Sequence, residues 1–257
     1  MWNLDEAIVL YREAIDLFPK GHSDRSMLLN NLASCLSMRY NQLGVLEDLD
    51  VAIVLCREAL HFRPTGHPLR SMALNNLAAH LSTRYKQLGV MENLSEAIVL
   101  SQEALDLRPI GHPNRPSSLN SLASCLFSRY GRLGFMEDLD KAIVLSGEAL
   151  GLCPTGHPNQ SMLSDNLANF LSTRYKQLGV MGDLDKAIAL GREALSLCPI
   201  GNLNRPMSLT SLASHLCTRY RRLGAMEDLV EAVDLARQAV DLCQIGNPTR
   251  NSGTWRT

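Results

Sequence analysis

The sequence predicts an all-α fold, a right-handed α-solenoid of antiparallel helix pairs, and three observations carry that prediction. Leu4, Leu49, Leu94, Leu139, Leu184 and Leu229 recur every 45 residues, as do Ala7, Ala52, Ala97, Ala142, Ala187 and Ala232. The text LSTRYKQLGVM at residues 81–91 returns letter for letter at 171–181, two periods later. Within each period two amphipathic stretches alternate with proline- and glycine-marked breaks. A fixed period of ~20–50 residues marks units that bury their apolar faces only by stacking on one another.

The stretch containing REAL, here helix B, opens on Asp48 and its equivalents Asn3, Asn93, Asp138, Asp183 and Asp228. Short polar side chains of this kind cap helix N-termini, and Asn3/Glu6, Asn93/Glu96 and Asp228/Glu231 have capping-box spacing. Its apolar positions are Leu49, Ala52, Ile53, Leu55, Cys56, Ala59, Leu60 and Phe62, a helical spacing. Ala52 and Ala59 share one face and predict a close helix crossing. Pro64, with Pro19, Pro109, Pro154 and Pro199, stops the helix.

A GHP-type loop leads to helix A, which contains RY. Pro68, Pro113 and Pro158 suit its first turn, and Pro116 and Pro206 are expected to delay its third and fifth copies. Its buried face is predicted to hold Leu74, Leu77, Ala78, Leu81, Tyr85 and Leu88. Gly44, Gly89, Gly134, Gly179 and Gly224 close it, because glycine takes the left-handed C′ position without steric cost. Tyr40 and Val45 then fall where a Schellman cap brings side chains together. The expected order is a first helix B, then A–B pairs at 23–43/48–63, 68–88/93–108, 113–133/138–153, 158–178/183–198 and 203–223/228–243. This makes one solenoid over 1–243, in repeat units 3–47, 48–92, 93–137, 138–182, 183–227 and a partial 228–243, with an irregular tail at 244–257.

The small Ala52 and Ala59, the closing Pro64, and Leu74, Leu77 and Ala78 match the pattern of the tetratricopeptide repeat (TPR), which the chain resembles from Asn3 to about Gln244. The text LNNLA with a GHP loop resembles the longer repeats of kinesin light chains. It also resembles TPR arrays of fungal proteins that carry a caspase-like CHAT domain or a nucleotide-binding domain. The period exceeds the usual TPR, with about one extra turn expected in helix A and a longer loop after Gly89. The resemblance implies a scaffold that takes an extended or helical peptide segment in a concave groove. The alternative it implies is a recognition arm of a larger signalling protein, a CHAT protease or nucleotide-binding receptor.

Composition narrows the function further. A net charge of −1 gives no electrostatic case for nucleic acid. No apolar run reaches the ~18–20 residues of a membrane span, and the start MWNLDE does not read as a signal peptide. Seven cysteines without CxxC spacing argue for reduced thiols and a cytoplasmic or nuclear setting. No nucleophile elbow, phosphate loop or zinc signature is present, so neither enzyme chemistry nor a cofactor is expected.

Two repeated columns are assigned structural roles. His22, His67, His112 and His157 are 45 residues apart and are read as turn-and-cap residues before helix A. Arg39, Arg84, Arg129, Arg174 and Arg219 are expected to pair with the acids that open helix B, such as Glu47, Asp48 and Asp50. The Glu of REAL stands too far along helix B for that role.

A residue repeated in every unit serves packing, so ligand contacts are sought at exposed positions that vary. On the helix A face these are Asn30, Asn75, Asn120 and Asp165 in one column and Ser34 and Asn169 in a second. Lys86, Lys176 and Arg221 form a third, with Arg132 and Arg222 one residue on. The expected partner is a protein or peptide, with a preference for acidic segments. Self-association through exposed terminal helices is expected as well.

Overall fold

The structure, a computed structural model, describes residues 3–19, 22, 24–202 and 204–245, and side chains as far as residue 242. The described residues form eleven helices: α1 (Leu4–Leu17), α2 (Arg25–Leu43), α3 (Leu46–His61), α4 (Arg70–Leu88), α5 (Met91–Asp106), α6 (Arg115–Leu133), α7 (Met136–Leu152), α8 (Gln160–Leu178), α9 (Met181–Ser196), α10 (Arg205–Leu223) and α11 (Met226–Ile245). No strand occurs among the described residues. Even-numbered helices are helix A and odd-numbered ones helix B. The fold is all-α, and the chain divides into two compact units, residues 1–138 and 139–257.

In the first unit α2 packs on α3 and α4 on α5. Each helix B also touches the helix A that follows it, and consecutive A helices meet, α2 with α4 and α4 with α6. In the second unit the same scheme joins α8 with α9, α9 with α10, α10 with α11, and α8 with α10. Stacked helix pairs of this kind are the TPR solenoid arrangement.

The alanine columns lie at the crossings: Ala52, Ala59, Ala97, Ala104, Ala142, Ala149, Ala187 and Ala194 have no exposed surface. The first unit's core adds Leu29, Leu36, Leu49, Leu77 and Leu81. In the second unit Leu184, Ile188, Leu209, Leu212 and Leu216 form one cluster, and Leu167, Ala168, Leu171 and Ala187 another. On helix A the predicted face is buried through Tyr85, but Leu88 and its equivalents Leu43, Leu133, Leu178 and Leu223 are exposed. They follow the last buried turn, and the glycine turns the chain away before the next helix can cover them.

Each helix A ends on glycine in the left-handed region; Gly44 has φ +73° and donates its N–H to Tyr40 O at 2.7 Å. That single bond from C′ to C3 is the αL closure rather than the Schellman form. Helix B then starts almost at once. Its N-cap is Val45, Val90 or Val180, three residues before the predicted Asp48, Asn93 and Asp183. Of the expected polar caps, Asn3 acts as one, accepting from Asp5 N at 3.3 Å. The longer loop expected after Gly89 is therefore just Gly89 and Val90. The extra length lies in the 19-residue helix A and in the B–A connection.

The acids displaced from capping are used by the Arg column. Arg39 grips Asp48 with two hydrogen bonds and reaches Asp5 of the preceding helix B at 2.8 Å. Arg174 does the same with Asp183 and Asp140, and Arg219 with Asp228 and Asp185. Where Asn93 replaces the aspartate, Arg84 turns to Asp50 at 2.8 Å. Glu96 and Glu231, read as capping-box partners, instead pair with Arg57 and Arg192 of the preceding helix B. The Glu of REAL meets another arginine altogether: Arg70, the first residue of α4, donates to Glu103 at 2.8 Å.

The B–A connection is built by the histidines as expected. Nδ1 of His67, His112 and His157 accepts from Leu69, Asn114 and Asn159 N, each at 3.1 Å. Asn202 Oδ1 replaces it in the last copy, accepting from Asn204 N at 2.8 Å. Helix A starts two residues later than expected, so Pro68, Pro113 and Pro158 lie in the turn before it. Pro116 and Pro206 sit inside the first turn and delay nothing, because an N–H is free there anyway.

Candidate functional site

The exposed part of the predicted face is the C-terminal end of the A helices. Lys86 stands in the last turn of α4, Arg132 of α6, Lys176 of α8, and Arg221 and Arg222 of α10. All five are exposed, and among the described residues no ion pair holds any of them. Since α4 touches α6, Lys86 and Arg132 stand at the same end of neighbouring helices in the first unit. Lys176, Arg221 and Arg222 do so in the second, where α8 touches α10. A helix C-terminus favours cations there.

Ser34, Asn75, Asn120 and Asn169 are half-buried. Ser34 Oγ donates to Asn30 O, so part of its capacity is spent on its own helix. The amide column proves to be largely a repeat junction. Asn30, expected to be exposed, is 2% exposed; its amide donates to Ser26 O at 2.9 Å, and its Oδ1 accepts from Cys56 Sγ. Asp165, expected alongside it, is 6% exposed and accepts a short hydrogen bond from Ser208 Oγ of α10. Asn75 makes the matching contact to Ser118 Oγ of α6 at 3.1 Å. The physical reason is helix stacking. Asn75 and Asp165 point at the next helix A and find their partners across the junction, while Asn30 is satisfied by its own helix and by Cys56 of α3.

Sequence reading missed what shares that junction. Arg63, just past α3, has no exposed surface. Its guanidinium donates from Nε to Ser26 Oγ at 3.2 Å and from Nη1 to Leu69 O at 3.3 Å. Arg108 repeats this, to Ser71 Oγ at 3.1 Å, Asn114 O at 2.9 Å and Ser118 Oγ at 2.8 Å. Burial pushes the pKa of both guanidinium groups down. The signal was present in the sequence: Phe18, Arg63, Arg108, Cys153 and Cys198 share one column.

A second column is buried and titratable. His80 of α4 and His215 of α10 are pushed down to about 4 by desolvation, with Lys176 adding to the effect on His215. Their column reads Cys35, His80, Cys125, Phe170 and His215, which behaves as core. The six described cysteines are free thiols, and burial pushes Cys56 up to about 12. Among the described residues no three His, Cys, Asp or Glu come together as a metal site, and no helix is long and apolar enough to cross a membrane.

No protein-family model matches the sequence, and no curated protein matches it. Solved structures do. A kinesin light chain-type protein of Podosopora anserina with nearly identical TPR-like repeats superposes with a TM-score of 0.58 at 19% identity, covering 90% of this chain and 99% of its own. BtubC (BKLC) from P. vanneervenii gives 0.57 at 15% identity, covering 100% and 97%. YrrB, a TPR protein with an unusual peptide-binding site, gives 0.52 at 16% identity, covering 92% and 97%. At these identities the likeness is one of fold, and the fold of this chain is that of the TPR-like repeat proteins.

Proposed function

We propose that this chain is a protein-interaction scaffold whose A-helix face receives an extended or helical peptide segment, with a preference for acidic ones. The observation that carries the reading is the set of exposed, unpaired cations at the A-helix ends: Lys86 and Arg132 in one unit, Lys176, Arg221 and Arg222 in the other. Nearly every other arginine of the repeat is committed to an internal partner. Half-buried Asn120 and Asn169 lie further up α6 and α8, and an amide can serve both N–H and C=O of a peptide backbone. The TPR-like fold supports a binding role.

The test is fluorescence anisotropy with labelled Glu/Asp-rich peptides against neutral peptides of equal length. Acidic peptides should bind more tightly, and salt should weaken them, since surface charges are screened over ~10 Å at ~0.1 M. Lys86/Arg132→Ala and Lys176/Arg221/Arg222→Ala should each weaken binding mainly at low salt. Asn120/Asn169→Ala should weaken it at every salt concentration. Equal affinity for acidic and neutral peptides in all variants, with helicity intact, would place the binding surface elsewhere.

We also infer self-association through α11, whose exposed Val230, Val233 and Val240 lie beside buried Ala232, Leu235 and Ala239. An apolar helix face of this kind is an association surface.

A further inference from the structure

The repeats can be compared with one another, and the α8–α10 junction of the second unit differs in charge from the two A–A junctions of the first. At two junctions of the first unit the chain fills the space between consecutive A helices with its own guanidinium, Arg63 or Arg108. No carboxylate takes part. The cradle consists of a serine hydroxyl from the earlier helix A (Ser26 or Ser71) and a carbonyl at the next helix start (Leu69 O or Asn114 O). Around Arg108, Ser118 of the later helix completes it, itself bonded to the amide of Asn75.

In the second unit the residue at the arginine position is Cys198, and it is fully buried. The acceptors of the cradle persist. Ser161 stands where Ser26 and Ser71 stand and is buried. Ser208 stands where Ser118 stands; its hydroxyl bonds Asp165 Oδ2 and lies 3.5 Å from Asn204 O, the counterpart of Asn114 O. The amide of Asn30 and Asn75 has become the carboxylate of Asp165. Its second oxygen, Oδ1, is buried with no hydrogen-bond partner among the described residues. This junction therefore keeps the guanidinium's acceptors, loses the guanidinium, and gains a negative charge.

We propose that the α8–α10 junction, built from Asp165, Ser161, Ser208 and the Asn204 carbonyl, receives a guanidinium group supplied by an arginine of a bound partner. A buried carboxylate oxygen without a donor is costly, and a donor arriving from outside removes that cost. A planar fork of N–H groups satisfies a carboxylate and the neighbouring oxygens together, which a compact ammonium does not. The same cradle already holds such a fork in this chain. Burial raises the carboxyl pKa of Asp165, and a cation beside it reverses that direction. Asp165 lies eleven residues before Lys176 on α8, ~16 Å along the axis at ~1.5 Å per residue. A partner segment acidic at one end and bearing arginine at the other would meet both. Delivery by a partner rests on the peptide-face reading above; the cradle itself does not.

The experiment is thermal unfolding of the full chain in low-millimolar guanidinium chloride against sodium chloride of equal ionic strength, repeated with N-acetyl-arginine amide, its lysine counterpart and its citrulline counterpart. Wild type should gain about 3 °C in Tm with guanidinium and with arginine amide at roughly tenfold over Kd, and nothing with lysine or citrulline amide. Asp165→Asn, which restores the residue of the three preceding repeats, should abolish the gain. Cys198→Arg should melt higher than wild type without ligand, because the chain then fills its own cradle as Arg63 and Arg108 do, and should ignore the probes. A wild type indifferent to guanidinium, an Asp165→Asn protein that keeps the gain, or a Cys198→Arg protein that melts lower each overturns the site. A response to bare guanidinium but not to arginine amide overturns the partner's arginine as its source. None of these arms uses an acidic peptide, so failure here is distinct from failure of the basic A-helix ends.

Discussion

Arg39 holds Asp48 by two parallel hydrogen bonds, Nε to Oδ2 at 2.7 Å and Nη2 to Oδ1 at 2.6 Å, across the turn that joins α2 to α3. Asp48 is nearly buried, so its carboxylate has exchanged water for the guanidinium fork. Asp48→Ala should cost about 2–3 kcal/mol, the range of charge-assisted hydrogen bonds, measured by chemical denaturation. Asp48→Asn should cost less, since Asn93 occupies this position in the next repeat while Arg84 turns to Asp50. Equal stability of Asp48→Ala and wild type would show that the exposed Arg39–Asp5 contact suffices alone.

The pH dependence of stability has two separate sources. The hydrogen bond from its arginine holds Asp48, and likewise Asp228, below the usual carboxylate range. A depressed carboxyl pKa contributes stability above the unfolded value of ~3.9 and loses it as pH falls through the folded value. His80 and His215 act higher up. With folded pKa values of about 4 against 6.5 unfolded, the unfolded chain takes up protons first as pH falls. Stability should therefore decline between pH ~6.5 and ~4, by roughly 3 kcal/mol for each histidine, and no further on their account below that. His80→Phe and His215→Phe, using the residue that Phe170 supplies to the same column, should flatten that window in urea titrations. A profile unchanged in both variants would place the histidines in water.

Gly134 has φ +76° and open space where a Cβ would stand. The cost of substitution there is one of backbone conformation rather than clash. Gly134→Val should lose more than ~1 kcal/mol, and Gly134→Asn clearly less, because asparagine tolerates the left-handed region. Equal loss in the two variants would point to a contact instead.

Ala97 has no exposed surface and sits on the crossing face of α5. Ala97→Leu should destabilise by about 1–3 kcal/mol through overpacking. An unchanged melting curve would mean that the junction has room to spare.

Self-association through α11 should appear as concentration-dependent mass in sedimentation equilibrium, and Val230/Val233/Val240→Ser should reduce it. A monomer at every concentration removes that inference.

Much of the molecule was legible in the chain itself. Period, helix identity, glycine closures, histidine turns and the Arg–Asp pairing are all local or nearest-neighbour features, and repetition over four to six copies makes each readable. Helix starts were misplaced because Asp48 and its equivalents look like caps, whereas the folded chain begins helix B right after Val45, Val90 and Val180 and leaves those carboxylates inside the first turn. The binding face divided in the same way. Lys86, Arg132, Lys176, Arg221 and Arg222 are exposed at helix ends, as their charge requires. Asn30 and Asp165 looked equally polar in the sequence, yet stacking turns them inward, where Ser26 O and Ser208 Oγ receive them. Arg63 and Arg108 were invisible as core because a buried arginine is credible only once its acceptors are seen. The sequence by itself determined the helices and their order, since those follow from periodicity and chain-local chemistry. The tertiary structure decided which polar columns meet solvent and which meet the next repeat, because that depends on how each helix is rotated against a neighbour 45 residues away.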